Sequence, residues 1–302
     1  MIASLKLRRL ASLASVLAVT ASISEAQTVF SAAGAGTASI QTTVDSYRAA
    51  LGTLNLNNGS AFASGRREIN WDAVPVGFSS PNALPGNFFS QTFNGSNGGR
   101  TRGAVFSAPT GGFLVSSDST DSNFATNQSF QVELANSNVA FPRFSNDQVF
   151  LAGSSTVMDV TFTVPGTGNV SAFVTGFGVV FMDVEAANTT SLEFFDLNNN
   201  SVGSFFAPAG GPGEFSFLGV DYSGVENIGR VRITSGSETL SAFAPGSSNR
   251  ESIGDLVAMD DFFYSEPQST SAIPEPSSFA AIAGVMALAG TSLRRRRATS
   301  AV

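Results

Sequence analysis

Short runs of alternating apolar and polar residues, separated by turn-forming residues, most constrain what this chain folds into. In residues 158–164 every second side chain is apolar, and a Pro-Gly pair ends the run. Such alternation indicates a strand with one face in a core and the other in solvent. It recurs at residues 192–194, 215–217 and 230–234. Many short strands joined by Gly-, Asn- and Ser-rich turns predict an all-β fold, an antiparallel jelly-roll-like β-sandwich over residues 40–266.

Two segments depart from this alternation. Residues 170–184 are almost uninterruptedly apolar, which predicts a strand that is buried on both faces and bends at its glycines. Residues 43–52 have the spacing of a short helix, with Val44, Tyr47 and Leu51 on one face and a glycine as its stop. We therefore expect one short helix beside the sandwich.

Residues 1–26 have the three parts of a secretory signal peptide: a positive start, an apolar or small stretch over residues 10–23, and small residues before the cleavage point. We expect cleavage between Ala26 and Gln27. A retained membrane anchor is the alternative, and the apolar stretch is shorter than the roughly 20 residues that a span needs. Residues 27–39 are small and polar, and we expect them to form a flexible N-terminal arm.

A second targeting segment follows a predicted linker, residues 267–273. It begins with the tripeptide Pro274, Glu275 and Pro276. The uncharged residues 277–293 come next, and as a helix they would cover about 25 Å, slightly less than the ~30 Å hydrocarbon core of a bilayer. Such a transmembrane helix is marginal. The next four residues are arginines, which predict a short cytoplasmic end at 298–302 and a domain outside the membrane; they are Arg294, Arg295, Arg296 and Arg297.

The order of tripeptide, span and arginine cluster resembles the PEP-CTERM sorting tail of Gram-negative bacteria. The resemblance implies that the tripeptide is the motif recognised by an exosortase, an integral membrane protease, and that the arginines are the stop-transfer cluster. Proteins with such tails are associated with the envelope and with exopolysaccharide. Jelly-roll modules often precede these tails, and the strand-like segments that resemble them here are residues 176–184, 192–196 and 259–264.

The two targeting segments together predict a route and its partners. The route begins with signal peptidase and the secretion machinery, includes a transient anchor in the inner membrane, and ends at the cell surface or in the extracellular matrix. By resemblance, the later partners are an exosortase-type protease and extracellular polysaccharide.

The composition removes most catalytic chemistries. The chain has no Cys and no His, and its only lysine, Lys6, lies in the predicted signal peptide. A thiolate, an imidazole and a lysine amine are therefore missing from the predicted mature protein. Without the two targeting segments the net charge changes from −7 to about −12, which would repel nucleic acid. The sequence predicts a protein that is not an enzyme and does not bind nucleic acid.

The acidic residues are compatible with one cofactor, calcium. Asp183 and Glu185 stand at the end of the apolar 170–184 run, and Asp260 and Asp261 lie in a late predicted strand that would be its neighbour. Calcium takes six to eight oxygen ligands in irregular geometry, so convergence of these residues would favour a site. The alternative is a solvated strand end or a salt bridge to Arg230 or Arg232. Adjacent strand residues point to opposite faces, so we expect only one of the two late aspartates to face inward.

Three further features have both a functional and a structural interpretation. Residues 196–201 begin like a calcium loop but lack its closing glutamate, which favours a polar hairpin turn. The single tryptophan, Trp71, is either a sugar-stacking platform or a core residue, and we favour the core. Glu68 and Asp72 flank it and form the pair to test for a two-carboxylate glycosidase.

The sequence thus predicts an exported, non-enzymatic envelope or matrix protein with an association to glycan. The alternatives are an extracellular carbohydrate-active enzyme and a purely structural surface component.

Overall fold

The computed structural model describes residues 27–117, 141–223, 225–240 and 254–272. Over these ranges the chain forms strands, one α-helix and three short 3-10 turns at Val76–Phe78, Gly98–Arg100 and Thr270–Ala272. The longer elements in chain order are β1 (Thr28–Gly34), α1 (Ala38–Leu51), β2 (Arg66–Ile69), β3 (Ala104–Ser107), β4 (Phe113–Val115), β5 (Phe150–Ala152), β6 (Val157–Thr163), β7 (Ser171–Phe173), β8 (Gly176–Met182), β9 (Ser191–Asp196), β10 (Ser201–Phe206), β11 (Phe215–Asp221), β12 (Ile228–Thr234), β13 (Ala258–Ser265) and β14 (Gln268–Ser269).

The described strands form two antiparallel sheets of seven strands each. The first has the order β1-β11-β8-β13-β5-β4, with β2 added beside β13. The second has the order β10-β9-β12-β6-β7-β14, with β3 added beside β6. The predicted all-β fold made of antiparallel sheets is therefore confirmed.

The main core lies between the two sheets. Val160 and Phe162 of β6 pack in one apolar cluster with Phe177 and Val179 of β8, and each of these side chains is at most 3% exposed. The intervening residues of β6 are only partly buried, so the alternation predicted for this strand is confirmed. One face of each sheet thus supplies the apolar side chains, as alternation requires.

The first sheet is covered on its other face by α1. Val180 of β8 belongs to a second apolar cluster with Val44, Tyr47 and Leu51 of the helix. The Tyr47 hydroxyl donates to the carbonyl of Val220 at 3.1 Å, which satisfies the one polar atom of that ring. Strand β8 is therefore buried on both faces, and this explains its unbroken apolar sequence.

The structure corrects two boundaries inside the domain. Residues 170–184 form two strands rather than one bent strand, because the chain passes there from the second sheet, which holds β7, to the first, which holds β8. Val174, between them, still bridges to Ile228 of the second sheet. The helix begins at Ala38, earlier than predicted, while its end at Gly52 agrees with the prediction.

The predicted flexible arm and linker are also corrected. Residues 28–34 of the expected arm are strand β1, which pairs with β11 along its whole length. In the expected linker 267–273, Gln268 and Ser269 form β14 and pair with β7. Both strands add to sheet edges through backbone hydrogen bonds, which nearly any side chain permits, and β1 also packs Phe30 and Ala32 against the second apolar cluster.

The predicted signal peptide, the PEP-type tripeptide with its span and arginine cluster, and residues 298–302 lie outside the described residues. Among the helices that the structure describes, none is long and apolar enough to cross a membrane.

Candidate functional site

The first two residues proposed as calcium ligands, Asp183 and Glu185, lie just beyond the end of β8. Asp183 has a left-handed backbone with φ of 71°, and its carboxylate accepts a hydrogen bond from the N–H of Gly213. The backbone N–H of Glu185 donates to the carboxylate of Asp255 at 3.3 Å. The Asp183 carboxylate and the Glu185 backbone at this end of the strand are therefore hydrogen-bonded within the protein.

The other two proposed ligands, Asp260 and Asp261, lie between the register pairs Met259–Phe181 and Phe262–Val179. That position is about 10 Å back along β8 from Asp183, at roughly 3.3 Å per strand residue. Across the described part of the chain, no group of three or more acidic side chains is arranged to hold a metal ion. The geometry gives calcium binding at these four residues no support.

A β-bulge turns Asp260 and Asp261 towards the same neighbour. Two residues of β13 stand opposite one residue of β8 here, which disrupts the regular pleat. Oδ1 of Asp260 lies 2.9 Å and Oδ1 of Asp261 lies 2.8 Å from Oγ of Ser145. The expectation that the two side chains point to opposite faces was wrong, because alternation holds only where the strand is regular.

The carboxyl groups of Asp260 and Asp261 are both buried. They are 0% and 3% exposed. Burial raises the pKa of Asp260 well above its usual range, and the neighbouring charge of Asp261 adds to the effect. Burial also raises the pKa of Asp261. The Ser145 hydroxyl has a single hydrogen, which the two Oδ1 atoms compete to accept.

The remaining partners of this pair are a loop and the helix. The N–H groups of Phe144 and Ser145 donate to Oδ2 of Asp260 at 2.7 and 3.2 Å. Arg48 of α1 lies 3.4 Å from Oδ2 of Asp261. The pair therefore ties β13 to α1 and to the loop that precedes β5.

Glu68, one of the two carboxylates considered for glycoside hydrolysis, is held by two arginines. Its Oε1 accepts from Nε of Arg66 at 2.6 Å and from Nε of Arg48 at 3.1 Å. Its Oε2 accepts from Nη2 of Arg48 at 3.3 Å. Both carboxylate oxygens of Glu68 are therefore engaged by guanidinium groups.

Asp72, the second of that pair, has the raised pKa that a general acid needs. Burial, with a smaller contribution from the charge of Asp261, raises the pKa of Asp72 to about 6. Its carboxylate accepts from the N–H of Gln148 at 3.2 Å and from the side-chain amide of Asn70 at 2.9 Å. The two candidates thus differ. Glu68 is held in ion pairs, whereas Asp72 has a raised pKa, and the Glu68 carboxylate is not free to act as its catalytic partner.

Trp71 is a core residue, as favoured from the sequence. It is 1% exposed, its ring is stacked on Phe150 at 4.0 Å, and the edge of Phe262 meets it at 5.2 Å. Its Nε1–H donates to the backbone carbonyl of Asp260, within the bulge. The sugar-platform alternative requires an exposed ring face, and this ring has none.

The 196–201 segment is the polar hairpin turn between β9 and β10. The Asp196 carboxylate accepts from the N–H groups of Asn198 and Asn200 at 2.8 and 2.7 Å. Hydrogen bonds led by the side chain of Asn200 lower the pKa of Asp196. The carboxylate oxygens thus close the turn itself, and the turn interpretation is confirmed.

A pocket of about 180 Å³, which the sequence did not suggest, opens beside Trp71. We call it the arginine pocket; the lining residues used below are Asn70, Trp71, Val74, Phe88, Arg100 and Arg102. The guanidinium of Arg100 lies over the rings of Phe78 and Phe88 at 4.8 and 4.5 Å. That of Arg102 lies over Phe89 at 5.1 Å.

The charge pattern of the sequence contains a signal for this pocket. From residue 73 to residue 117 the chain has no acidic residue, and its only charged side chains are Arg100 and Arg102. An arginine that finds no carboxylate nearby in sequence needs one from elsewhere in the fold, or from a ligand. Only the tertiary structure distinguishes these cases.

Comparisons with protein-family models, with curated proteins and with solved structures found no match for this chain.

Proposed function

We propose that this chain is an exported, non-enzymatic protein of the cell envelope or extracellular matrix, in which a jelly-roll-like β-sandwich is sorted and processed through a PEP-CTERM-like tail. The observation that carries the proposal is the order of three elements within residues 274–297: the Pro-Glu-Pro tripeptide, an uncharged stretch, and four arginines. The proposed partners are signal peptidase, the secretion machinery, an exosortase-type protease and extracellular polysaccharide.

The surroundings of the acidic residues support a role without catalysis. Glu68 is engaged by two arginines, and Asp260 and Asp261 hold each other and Ser145. Glu266 is fully buried against Arg67. In a domain without histidine or cysteine, carboxylates are the main groups left for acid–base chemistry, and these four serve the fold.

The test is a tail variant in the producing cell. Replacing Pro274, Glu275 and Pro276 together by Ala removes the proposed recognition motif and leaves the span and arginines in place. We expect the chain to stay full length in the inner-membrane fraction, measured by cell fractionation and intact-protein mass. A matched control is Pro109→Ala, which changes an exposed proline of the domain.

Two results would separate the parts of this proposal. A triple variant that is processed and located like the parent protein would remove the sorting role of the tripeptide. If Arg294 to Arg297 are replaced by Gln, we expect the tail to slip through the membrane, because four uncharged residues no longer resist translocation. Retention of that variant at the inner membrane would contradict the stop-transfer assignment.

A further inference from the structure

The arginine pocket holds two cations that form no ion pair within the described residues. Neither the Arg100 nor the Arg102 guanidinium has an ion pair or a hydrogen bond to an acceptor in the described residues. Nε of Arg102 is buried and without a hydrogen-bond partner. Burial lowers the pKa of Arg102, because it penalises the charged form.

Other arginines of the described domain are treated differently. Each of five others forms an ion pair with a carboxylate at 2.5 to 3.4 Å, and these five are Arg48, Arg66, Arg67, Arg230 and Arg232. In an acidic chain with 23 Asp and Glu residues, carboxylate partners are plentiful. Arg100 and Arg102 differ from these five and lie in one pocket, where an anionic ligand would supply a partner for both.

The aromatic rings leave the N–H donors of both guanidinium groups available for hydrogen bonds. Phe88 and Phe89 are 4% and 3% exposed and lie against the arginines as fixed apolar surfaces. A ring that covers the face of a guanidinium does not occupy its N–H donors, which lie in the plane. The donors can therefore still reach an anion in the pocket.

The backbone positions the two arginines before any ligand arrives. The N–H of Gln91 donates to the Arg100 carbonyl at 2.9 Å, and the N–H of Arg102 donates to the Phe89 carbonyl at 2.9 Å. The hydroxyl of Tyr264, from β13, donates to the Arg102 carbonyl at 3.0 Å. The segment that carries both arginines is thus fixed to a neighbouring loop and to the first sheet, which lowers the ordering cost of binding.

The size of the pocket limits the ligand. A cavity of about 150 Å³ holds a benzene molecule, so the ~180 Å³ of the arginine pocket accommodates one six-membered ring with a small substituent. Its wall combines apolar side chains such as Val74 and Phe88 with the two guanidinium groups. A planar carboxylate matches the forked donors of an arginine.

We propose that the arginine pocket binds a carboxylate carried on a single six-membered ring. Two sources have this chemistry: a uronate unit of an acidic polysaccharide and a free aromatic carboxylic acid. The proposal stands on the pocket and does not depend on the sorting tail.

The only tryptophan of the chain lines the pocket, so its fluorescence reports binding. The purified full-length protein is titrated with glucuronate and with benzoate at constant ionic strength, and each titration is repeated by calorimetry. Glucose and benzyl alcohol are the matched neutral probes. We expect saturable binding of at least one acid and none of its neutral counterpart. Tighter binding of glucuronate identifies the sugar source, and tighter binding of benzoate the aromatic one.

Variants separate a binding role from a structural one. We expect Arg100→Gln and Arg102→Met each to weaken binding about tenfold or more, the loss of one charge-assisted hydrogen bond. Arg232→Gln, which changes an arginine of the second sheet that pairs with Asp159, should bind like the parent protein. Arg102→Met should not lower the melting temperature, because it removes an uncompensated charge and keeps an apolar side chain on Phe89.

Three results would overturn the proposal. These are no saturable response to either acid, equal affinity for acetate or sulfate without a ring, and unchanged binding in both arginine variants.

Discussion

Two arginines of this domain, Arg67 and Arg102, have a backbone contact with Tyr264 of strand β13, but only one of them forms an ion pair. Arg67 is 0% exposed, and its Nε and Nη2 both donate to the carboxylate of Glu266. Its remaining donors reach the carbonyls of Leu56 and Ser60 at 2.7 Å. The Arg102 guanidinium lies over the ring of Phe89 and forms no ion pair within the described residues.

The difference teaches what each arginine contributes. A fully paired buried charge stabilises the fold only as long as both partners are present, since either one alone is a buried, uncompensated ion. An unpaired arginine contributes little to folding and retains its donors for another molecule. The Asp260–Asp261 pair is a third arrangement, in which burial raises the pKa of both carboxyl groups.

The largest expected effect is at the paired site. Glu266→Ala should lower the free energy of unfolding by about 3–5 kcal/mol, because Arg67 then remains buried without a counter-charge. The same carboxylate also accepts from Asn55 and from the N–H of Phe62, so three contacts are lost together. Urea denaturation measures the change.

Arg67→Met is the matched variant from the other side of the pair, and we expect a similar loss. If both single variants unfold within about 1 kcal/mol of the parent protein, the pair is not the stabilising unit described here. The double variant Arg67→Met with Glu266→Leu should recover much of the loss, since no buried charge remains.

A smaller effect is expected from the raised pKa of Asp72. The pKa of Asp72 is about 6 in the folded state against 3.8 for an ordinary aspartate, so between these values the folded protein holds the proton more tightly. The free energy of unfolding should therefore fall as the pH rises from about 4 to 6. Asp72→Asn should flatten this slope, measured by urea denaturation at several pH values. An unchanged slope would show that other groups dominate this range, and Asp45→Asn, at an exposed helix position, is the control.

At the unpaired site we expect almost no loss of stability. Arg102→Met should change the free energy of unfolding by less than about 1 kcal/mol, because it replaces a charge without an ion pair by an apolar side chain, which is neutral or favourable. Thermal and urea unfolding beside Arg67→Met give the comparison directly. A loss of stability as large as that of Arg67→Met would contradict the conclusion that Arg102 contributes little to folding.

The smallest effect should come from the exposed face of the second sheet. Asp159 accepts from Arg232 at 2.8 Å and from Arg230 at 3.1 Å, in partly exposed surroundings. Asp159→Ala should cost about 0–1 kcal/mol, and less at high salt, since solvent and ions screen such pairs. A salt-independent loss of several kcal/mol would mean that this cluster behaves like the buried pair.

Regular parts of the fold could be predicted from the sequence because their patterns are local. The alternation over 158–164 predicts β6, and the i, i+3, i+7 spacing of Val44, Tyr47 and Leu51 predicts the buried face of α1. The hairpin at Asp196 follows from its own asparagines. The edge strands β1 and β14 could not be predicted, because their pairing uses backbone groups that every residue has.

The candidate sites were less predictable, since they depend on residues far apart in the chain. The alternation of a regular strand predicts that the side chains of Asp260 and Asp261 point to opposite faces. One extra residue in the bulge brings both to Ser145, more than a hundred positions away. The stretch without acidic residues around Arg100 and Arg102 is visible in the sequence. It indicates an arginine without an ion pair only if the fold brings no distant carboxylate to it.

The sequence by itself determined the regular strands, the buried face of the helix and the absence of histidine and cysteine, and it predicted the targeting segments on which the sorting proposal rests. The tertiary structure decided which charges are paired. Glu266 reaches Arg67 across 199 positions, and no carboxylate of the described chain reaches Arg102. Secondary structure follows from near neighbours, whereas the compensation of a buried charge depends on which distant segments the packing brings together.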